Sequence, residues 1–253
     1  MLLFELANLG VGFKRYFEVV PALTEELRDH VYRIRHEVYC EELKYEPVRN
    51  DRRERDEYDA HSLHCLIRSV KTGDYVGCTR LVLTRPDDPR YPLPFERTCA
   101  KTIDRGIADP QGLPRHTIAE ISRLAVVARF RNRRGEKQSP VPLGDAFGTE
   151  MRPRFPYLTV GLYLGTIALA REHDIKTLFV LTEPKLAKHL ARLGVVIRQI
   201  GGPVQHRGTR VPSVMTVASI IDGLNFMVRP LYRVVAAQVG VGIAVQRDSV
   251  TVG

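Results

Sequence analysis

Apolar residues fall at strand-like and helix-like spacings in alternating stretches of this chain. Residues 63–70 and 75–84 are β-rich runs separated by Lys71-Thr72-Gly73-Asp74, which predicts a hairpin. Residues 15–20 predict a short strand and residues 117–127 a strong central one. Residues 176–181, 195–200 and 211–218 predict three more. Helical patterns occupy residues 25–43, residues 157–172 and the stretch from Pro184 to just before Gly194. Thr24 suits the cap of the first helix, with Glu25 and Glu26 answering its dipole. Pro184 suits the first turn of the third helix and Gly194 its end. A last amphipathic stretch, residues 220–239, carries Pro230 and is expected to kink or break. Residues 46–60 read as a charged loop and residues 85–116 as loop with one short helix. Residues 138–156, with four prolines, read as irregular. The order of elements predicts an α/β fold, a layered sheet with helices on its faces. The expected domain spans residues 1–220. Residues 220–253 form a C-terminal amphipathic helix and tail, packed on that domain or facing a membrane.

Composition narrows this picture. The chain has 253 residues and 44% hydrophobic content, enough for one large domain with a core. A net charge of +9 favours an acidic partner without choosing among nucleic acid, anionic lipid and acidic protein. Cys40, Cys65, Cys78 and Cys99 form no Cys-x-x-Cys pair and no zinc-like spacing with His, so free thiols and a cytoplasmic setting are expected. The first residues are too short a run, and too acidic at Glu5, for a signal peptide. No run of about 20 apolar residues predicts a membrane span.

Charge inside apolar surroundings is the informative chemistry. Glu54, Asp56 and Asp59 crowd six positions, and Arg35 lies nineteen residues before Glu54. Arg80, in Gly77-Cys78-Thr79-Arg80, and Arg123, in Glu120-Ile121-Ser122-Arg123, fall in strand-like runs. An acidic cluster matched by such Arg and Glu positions predicts a polar site within a core. Arg neighbours oppose metal binding by the three carboxylates, so no metal is expected.

These motifs, in this order, resemble the acyl-homoserine lactone synthase branch of the GNAT-like (acyl-CoA N-acyltransferase) fold. They resemble N-acyl amino acid synthases too, and more closely the acyltransferases associated with PEP-CTERM/exosortase systems. That family opens with Arg, an aromatic four residues on, and Leu-x-Trp; here these are Arg35, Tyr39 and Leu43-Lys44-Tyr45. Its Glu-x-Asp-x-x-Asp matches Glu54, Asp56 and Asp59, its Gly-x-x-Arg matches Gly77 and Arg80, and its Glu-x-[Ser/Thr]-Arg matches Glu120, Ser122 and Arg123. The resemblance covers roughly residues 15–220. It implies a central mixed twisted sheet flanked by helices, and transfer of a fatty acyl group to the amine of an amino acid or similar small amine. Two departures matter. Tyr45 stands where the family has Trp, and the chain has no Trp, which argues against a lactone synthase using S-adenosylmethionine. The coenzyme A pyrophosphate loop, Gln/Arg-x-x-Gly-x-Gly/Ala, is replaced at residues 132–137 by Asn-Arg-Arg-Gly-Glu-Lys. The resemblance therefore implies a donor carried as acyl-phosphopantetheine on acyl carrier protein rather than on coenzyme A, and no tightly bound cofactor.

N-acyl transfer needs a held thioester, a deprotonated amine, a proton acceptor and an oxyanion donor. Glu120 is the candidate base; the bland alternative pairs it with Arg80 or Arg123. Strict strand alternation puts Glu120 and Arg123 on opposite faces, so a shared site requires a β-bulge. Backbone N–H groups near Leu124, Ala125 and Val126 are then candidate oxyanion donors, and these residues join Tyr39 and Tyr45 as substrate contacts. Arg35, Asp56, Asp59, Arg80 and Arg123 are expected to form a network that holds the acidic loop in place. Leu124, Val126, Leu162, Ile167, Leu178 and Val180 line an acyl tunnel or fill an ordinary core. Gly161 and Gly165 serve pantetheine approach or helix–sheet packing.

The basic run Arg129, Arg131, Arg133, Arg134 and Lys137 follows the central strand. It is a candidate face for an acidic acyl carrier protein and the pantetheine arm, or a solvated loop. Two non-enzymatic readings stand beside this one. A nucleic-acid-binding module is disfavoured because no helix-turn-helix or aromatic-interleaved basic motif is present. A peripheral protein of the inner membrane would use residues 220–239 with Arg229 and Arg233.

Overall fold

The structure, a computed structural model, describes residues 9–131 and 156–251. An open mixed sheet runs in the order β1 (Phe17–Pro21), β2 (Ser62–Ser69), β3 (Tyr75–Leu83), β4 (Ile118–Val126), β5 (Thr177–Thr182), β8 (Thr209–Thr216) and β6 (Arg198–Gln199). A short β7 (Val204–Gln205) pairs with β8. β4 and β5 run parallel, while β1 to β4 form an antiparallel series. Parallel neighbours need a long crossover, and α4 (Tyr157–Glu172) lies within it.

The two faces of the sheet carry different helices. On one lies α2 (Glu25–Arg35), whose Thr24 cap accepts from the Leu27 N–H at 3.2 Å. On the other lies α4, buried all round from Tyr157 to Ala170 because the final helix, α7 (Arg229–Thr251), covers it. A helix apolar on every side can only sit in such a sandwich. Gly161 and Gly165 settle their open alternative as packing. A methyl group would meet Phe13 at the first and Val19 at the second, each at 2.7 Å.

Several elements differ from the sequence reading. Residues 9–16 form a helix, α1 (Leu9–Tyr16), that packs Leu9 and Phe13 into the core. The helix expected over residues 25–43 is α-helical only to Arg35; His36–Glu42 is a π-helix, closed by the Leu43 N–H on the Val38 carbonyl at 3.0 Å. Residues 195–200 are strand only at Arg198–Gln199. The strand expected at residues 211–218 ends at Thr216, whose side chain caps α6 (Val217–Gly223). The break expected in residues 220–239 falls before Pro230, which sits in the first turn of α7. The charged loop 46–60 ends in a 3₁₀ turn, Glu57–His61, and the short helix of residues 85–116 is α3 (Pro94–Thr98). All four cysteines are free and buried, as expected. Among the described residues, no helix is long and apolar enough to cross a membrane.

Candidate active site

β4 carries the distortion around which the site is built. Arg80 pairs with Ser122 and Cys78 with Ala125, so Thr79 faces two residues, Arg123 and Leu124. The expected bulge is therefore present, and Arg123 adopts φ +53°. The bulge returns Arg123 to the face that bears Ser122 and Glu120. Tyr39 stabilises the kink by donating to the Leu124 carbonyl at 3.0 Å. Its own hydroxyl is pushed up to about 12, chiefly by burial.

The sheet opens beside this kink. The parallel register of β4 and β5 ends at Ile121 opposite Val180, although both strands continue. A cleft of about 330 Å³ occupies the split. Glu120, Tyr58 and Arg97 line it towards α3, with Asp56, Arg80 and Arg123 nearby. Leu186 and Leu190 of α5 (Pro184–Arg192), with Tyr163 and Met215, give it an apolar end.

The acidic loop is tied into the same wall. Arg35, fully buried, pairs with Glu54 and grips Asp59 with two N–H donors at 2.6 and 3.1 Å. Arg80 donates to Asp56 at 2.6 Å, to Asp59 at 3.0 Å and to the Ser122 hydroxyl at 3.1 Å. Arg123 reaches Glu54 at 3.2 Å and Asp56 at 3.0 Å. Burial alone would raise the Glu54 carboxyl, but Arg35 and Arg123 outweigh it and hold it at about 2. Asp59, opposed by burial and favoured by Arg35 and Arg80, lies well below the usual carboxylate range. Asp59 also accepts the Asp56 N–H at 2.7 Å, and Asp56 accepts the Tyr58 N–H at 3.0 Å, which closes the loop. His64, sealed behind Asp59, is pushed down to about 3 by burial and by Arg35.

Glu120 is different. It is 2% exposed and accepts the Phe95 N–H at 2.7 Å. No ion pair with Arg80 or Arg123 forms, so the bland reading of that residue fails. Burial raises its carboxyl to about 8, the Phe95 N–H offsetting only part of the rise. A carboxyl with so few partners at the wall of a cleft is positioned to exchange a proton with a ligand. The hydroxyls of Tyr58 and Thr182 are also buried at the cleft without a hydrogen-bond partner. An unpaired buried hydroxyl costs free energy until a ligand or water satisfies it.

Other expected residues fall elsewhere. Tyr45 and Leu124 line the cleft with Tyr39. Ala125 and Val126 do not contact it: both are wholly buried, and their backbones pair with Cys78 and Gly77. Of the candidate tunnel residues only Leu124 and Val180 face the cleft; Val126, Leu162, Ile167 and Leu178 are core. Arg131 is buried against Glu42, a poor docking cation, whereas Arg129 is half exposed beside Glu37 at 3.4 Å. Arg133, Arg134 and Lys137 lie outside the described residues.

The sequence reading missed Tyr58, Arg97, Arg207 and Arg210. Tyr58 sits inside the acidic motif and could have been read from it. Arg207 and Arg210 come from the β7–β8 hairpin, for which no motif gave a signal. They pair with Glu46 and Glu183, and burial lowers both guanidinium groups.

Comparison with known proteins agrees with this architecture. Residues 34–139 match the family model for the acetyltransferase (GNAT) domain. An acyl-homoserine-lactone synthase of Vibrio anguillarum is 24% identical over 174 residues, covering 69% of this chain and 76% of that protein. The solved structure of FeeM, an N-acyl amino acid synthase from uncultured soil microbes, superposes with a TM-score of 0.53 at 14% identity, over 83% of this chain and 96% of that one. BjaI, a coenzyme A-dependent acyl-homoserine lactone synthase solved with S-adenosylmethionine and isopentyl-CoA, gives a TM-score of 0.53 at 18% identity, over 87% and 98%. The chain is thus a GNAT-type acyltransferase, built on the fold that acyl-homoserine lactone synthases and N-acyl amino acid synthases share.

Proposed function

We propose that this enzyme transfers a fatty acyl group from an acyl carrier protein thioester to the amine of an amino acid or a similar small amine. The observation that carries the reading is the split between β4 and β5, where an apolar-ended cleft meets the buried Glu120. A thioester laid along the split places its carbonyl beside the unpaired edge of β4 near Leu124. The amine nitrogen attacks that carbon, the C–S bond breaks, and the chain leaves as an amide. Glu120 takes a proton from the amine, directly or through water, and the departing thiolate is protonated to a thiol. Backbone N–H groups at the bulge stabilise the oxyanion. Glu54, Asp56 and Asp59, each held by Arg, position the loop that carries Tyr58 rather than move protons.

The departure at residues 132–137 from the pyrophosphate-binding pattern supports carrier protein over coenzyme A as donor. Tyr45 in place of Trp supports an amino acid over S-adenosylmethionine as acceptor. The link to PEP-CTERM/exosortase systems, and a cytoplasmic location, rest on the motif resemblance. The deciding experiment supplies an acyl carrier protein thioester and acyl-CoA in parallel, each with a panel of amino acids or S-adenosylmethionine, read by mass spectrometry. An N-acyl amino acid made from the carrier protein thioester is expected. Lactone together with methylthioadenosine, or turnover of acyl-CoA alone, would overturn the acceptor or the donor assignment respectively.

A further inference from the structure

The amphipathic C-terminal stretch does not offer its apolar side to solvent. Leu231, Tyr232, Val235 and Val239 are buried, so this face of α7 is taken by the core. What stays outside is the tip of the loop before α7. Phe226 is 82% exposed and Met227 45%, and Val196 on the neighbouring loop is 68% exposed.

The two loops are locked together. The Asn225 N–H bonds the Leu193 carbonyl at 3.2 Å, and its side-chain amide reaches the Arg192 carbonyl at 3.3 Å. Gly194, at φ +92°, lies so close to Gly223 that a methyl group there would overlap its carbonyl oxygen. Phe226, Met227 and Val196 therefore stand out from one rigid corner. Cations ring that corner. Residues 188–198 and 222–233 hold Lys188, Arg192, Arg198, Arg229 and Arg233 against Asp222 alone, and all five cations are exposed. The Arg229 guanidinium is fixed at the base of the tip by the carbonyls of Leu224 at 2.8 Å and Asp222 at 2.9 Å.

We propose that this corner docks on an anionic lipid bilayer, with Phe226 and Met227 entering the interface and the five cations lying at headgroup level. An aromatic and a flexible thioether at a basic, protruding tip suit the bilayer boundary, where apolar groups embed shallowly and Lys and Arg meet anionic headgroups. A protein partner is less well matched, because the tip is convex and offers no groove. The corner also lies at the C-terminal end of α5, the helix whose Leu186 and Leu190 line the cleft. Docking there sets the apolar end of the cleft near lipid. The inference does not depend on which acceptor the enzyme uses.

The chain contains no Trp, so Phe226→Trp creates a single reporter. Vesicles of phosphatidylcholine with about a third phosphatidylglycerol should blue-shift its emission. Pure phosphatidylcholine, or the mixed vesicles in 0.5 M salt, should weaken the effect at least tenfold. Val48→Trp, placed on an exposed site in the loop after the π-helix, should not shift. In flotation assays, Phe226→Ser/Met227→Ser should lose at least tenfold of its binding to mixed vesicles while keeping the parent melting temperature. Absence of a blue shift at position 226 with mixed vesicles overturns the proposal. So does binding that leaves the double variant unaffected, or a shift produced by an acidic carrier protein but not by vesicles.

Discussion

The Glu120 carboxylate accepts the Phe95 N–H at 2.7 Å, and no Arg closes on it although Arg80 and Arg123 share its wall of the cleft. The two Arg side chains spend their donors on Glu54, Asp56 and Asp59 instead. The cleft thus separates carboxylates that are locked ionised from one that is free to titrate.

Activity should follow that separation. With Glu120 raised to about 8 by burial, its basic form grows as pH rises through that value, so turnover should climb along a limb centred near pH 8. Glu120→Gln should lower kcat by about 10²–10⁴ and remove the limb. The same residue shapes stability. Its folded carboxyl binds a proton that the unfolded chain releases near 4.5, so stability is fully present below that pH and is lost as pH rises through about 8. The melting temperature of Glu120→Gln should be flatter between pH 5 and 9 than that of the parent.

The Arg35 pair predicts the opposite trend. Glu54 is held at about 2, so its contribution is present above 4.5 and disappears as pH falls towards 2. Glu54→Gln leaves Arg35 buried with half of its partners and should cost about 3–5 kcal/mol in urea unfolding. It should also blunt the acid limb of the stability profile. An unchanged acid limb would show that another carboxylate governs it.

Tyr58→Phe separates fold from function. The hydroxyl lies buried at the cleft without a partner, so its removal should leave the melting temperature unchanged or slightly raised. Activity should fall, with most of the loss in the KM for the acceptor amine. A destabilised variant with a normal KM would mean that the hydroxyl serves the fold.

Charge reversal distinguishes two cations of the basic run. Arg131→Glu sets a carboxylate against Glu42 and should destabilise the protein with any donor. Arg129→Glu, at a half-exposed site, should raise the KM for acyl carrier protein, more at low salt, and leave acyl-CoA turnover unaffected.

Chain-length preference should respond at the apolar end. Leu186 lines the cleft and is partly exposed, so Leu186→Trp adds bulk without overpacking the core. The longest acyl group accepted should shorten by several methylenes, measured by competition between thioesters of different length.

Much of this site was legible because its charges sit where an apolar period expects none. Arg35, Arg80, Glu120 and Arg123 each interrupt a buried pattern, and each was found buried or nearly so. The bulge was legible too, because Glu120 and Arg123 can share a face only if β4 gains a residue. What stayed hidden depends on tertiary contact. Ala125 and Val126 carry the same pattern as Leu124, yet the bulge turns only Leu124 to the cleft. Arg207 and Arg210 lie in a polar hairpin whose approach to Tyr39 no local spacing reports. The helix of residues 9–16 is stabilised by packing on α7 rather than by caps, so it left little mark in the sequence.

The π-helix at His36–Glu42 has a consequence for how the chain tolerates change. It holds one more residue per turn than an α-helix would, directly after Arg35 and around Tyr39. Deleting one residue there would restore ordinary pitch and suit the backbone well. It would also turn everything downstream by about 100° relative to Arg35, carrying Tyr39 away from the Leu124 carbonyl and Tyr45 away from the cleft. Shortening this segment should therefore yield a well-folded protein that has lost its site, whereas loops such as Lys71-Thr72-Gly73-Asp74 can change length with little effect.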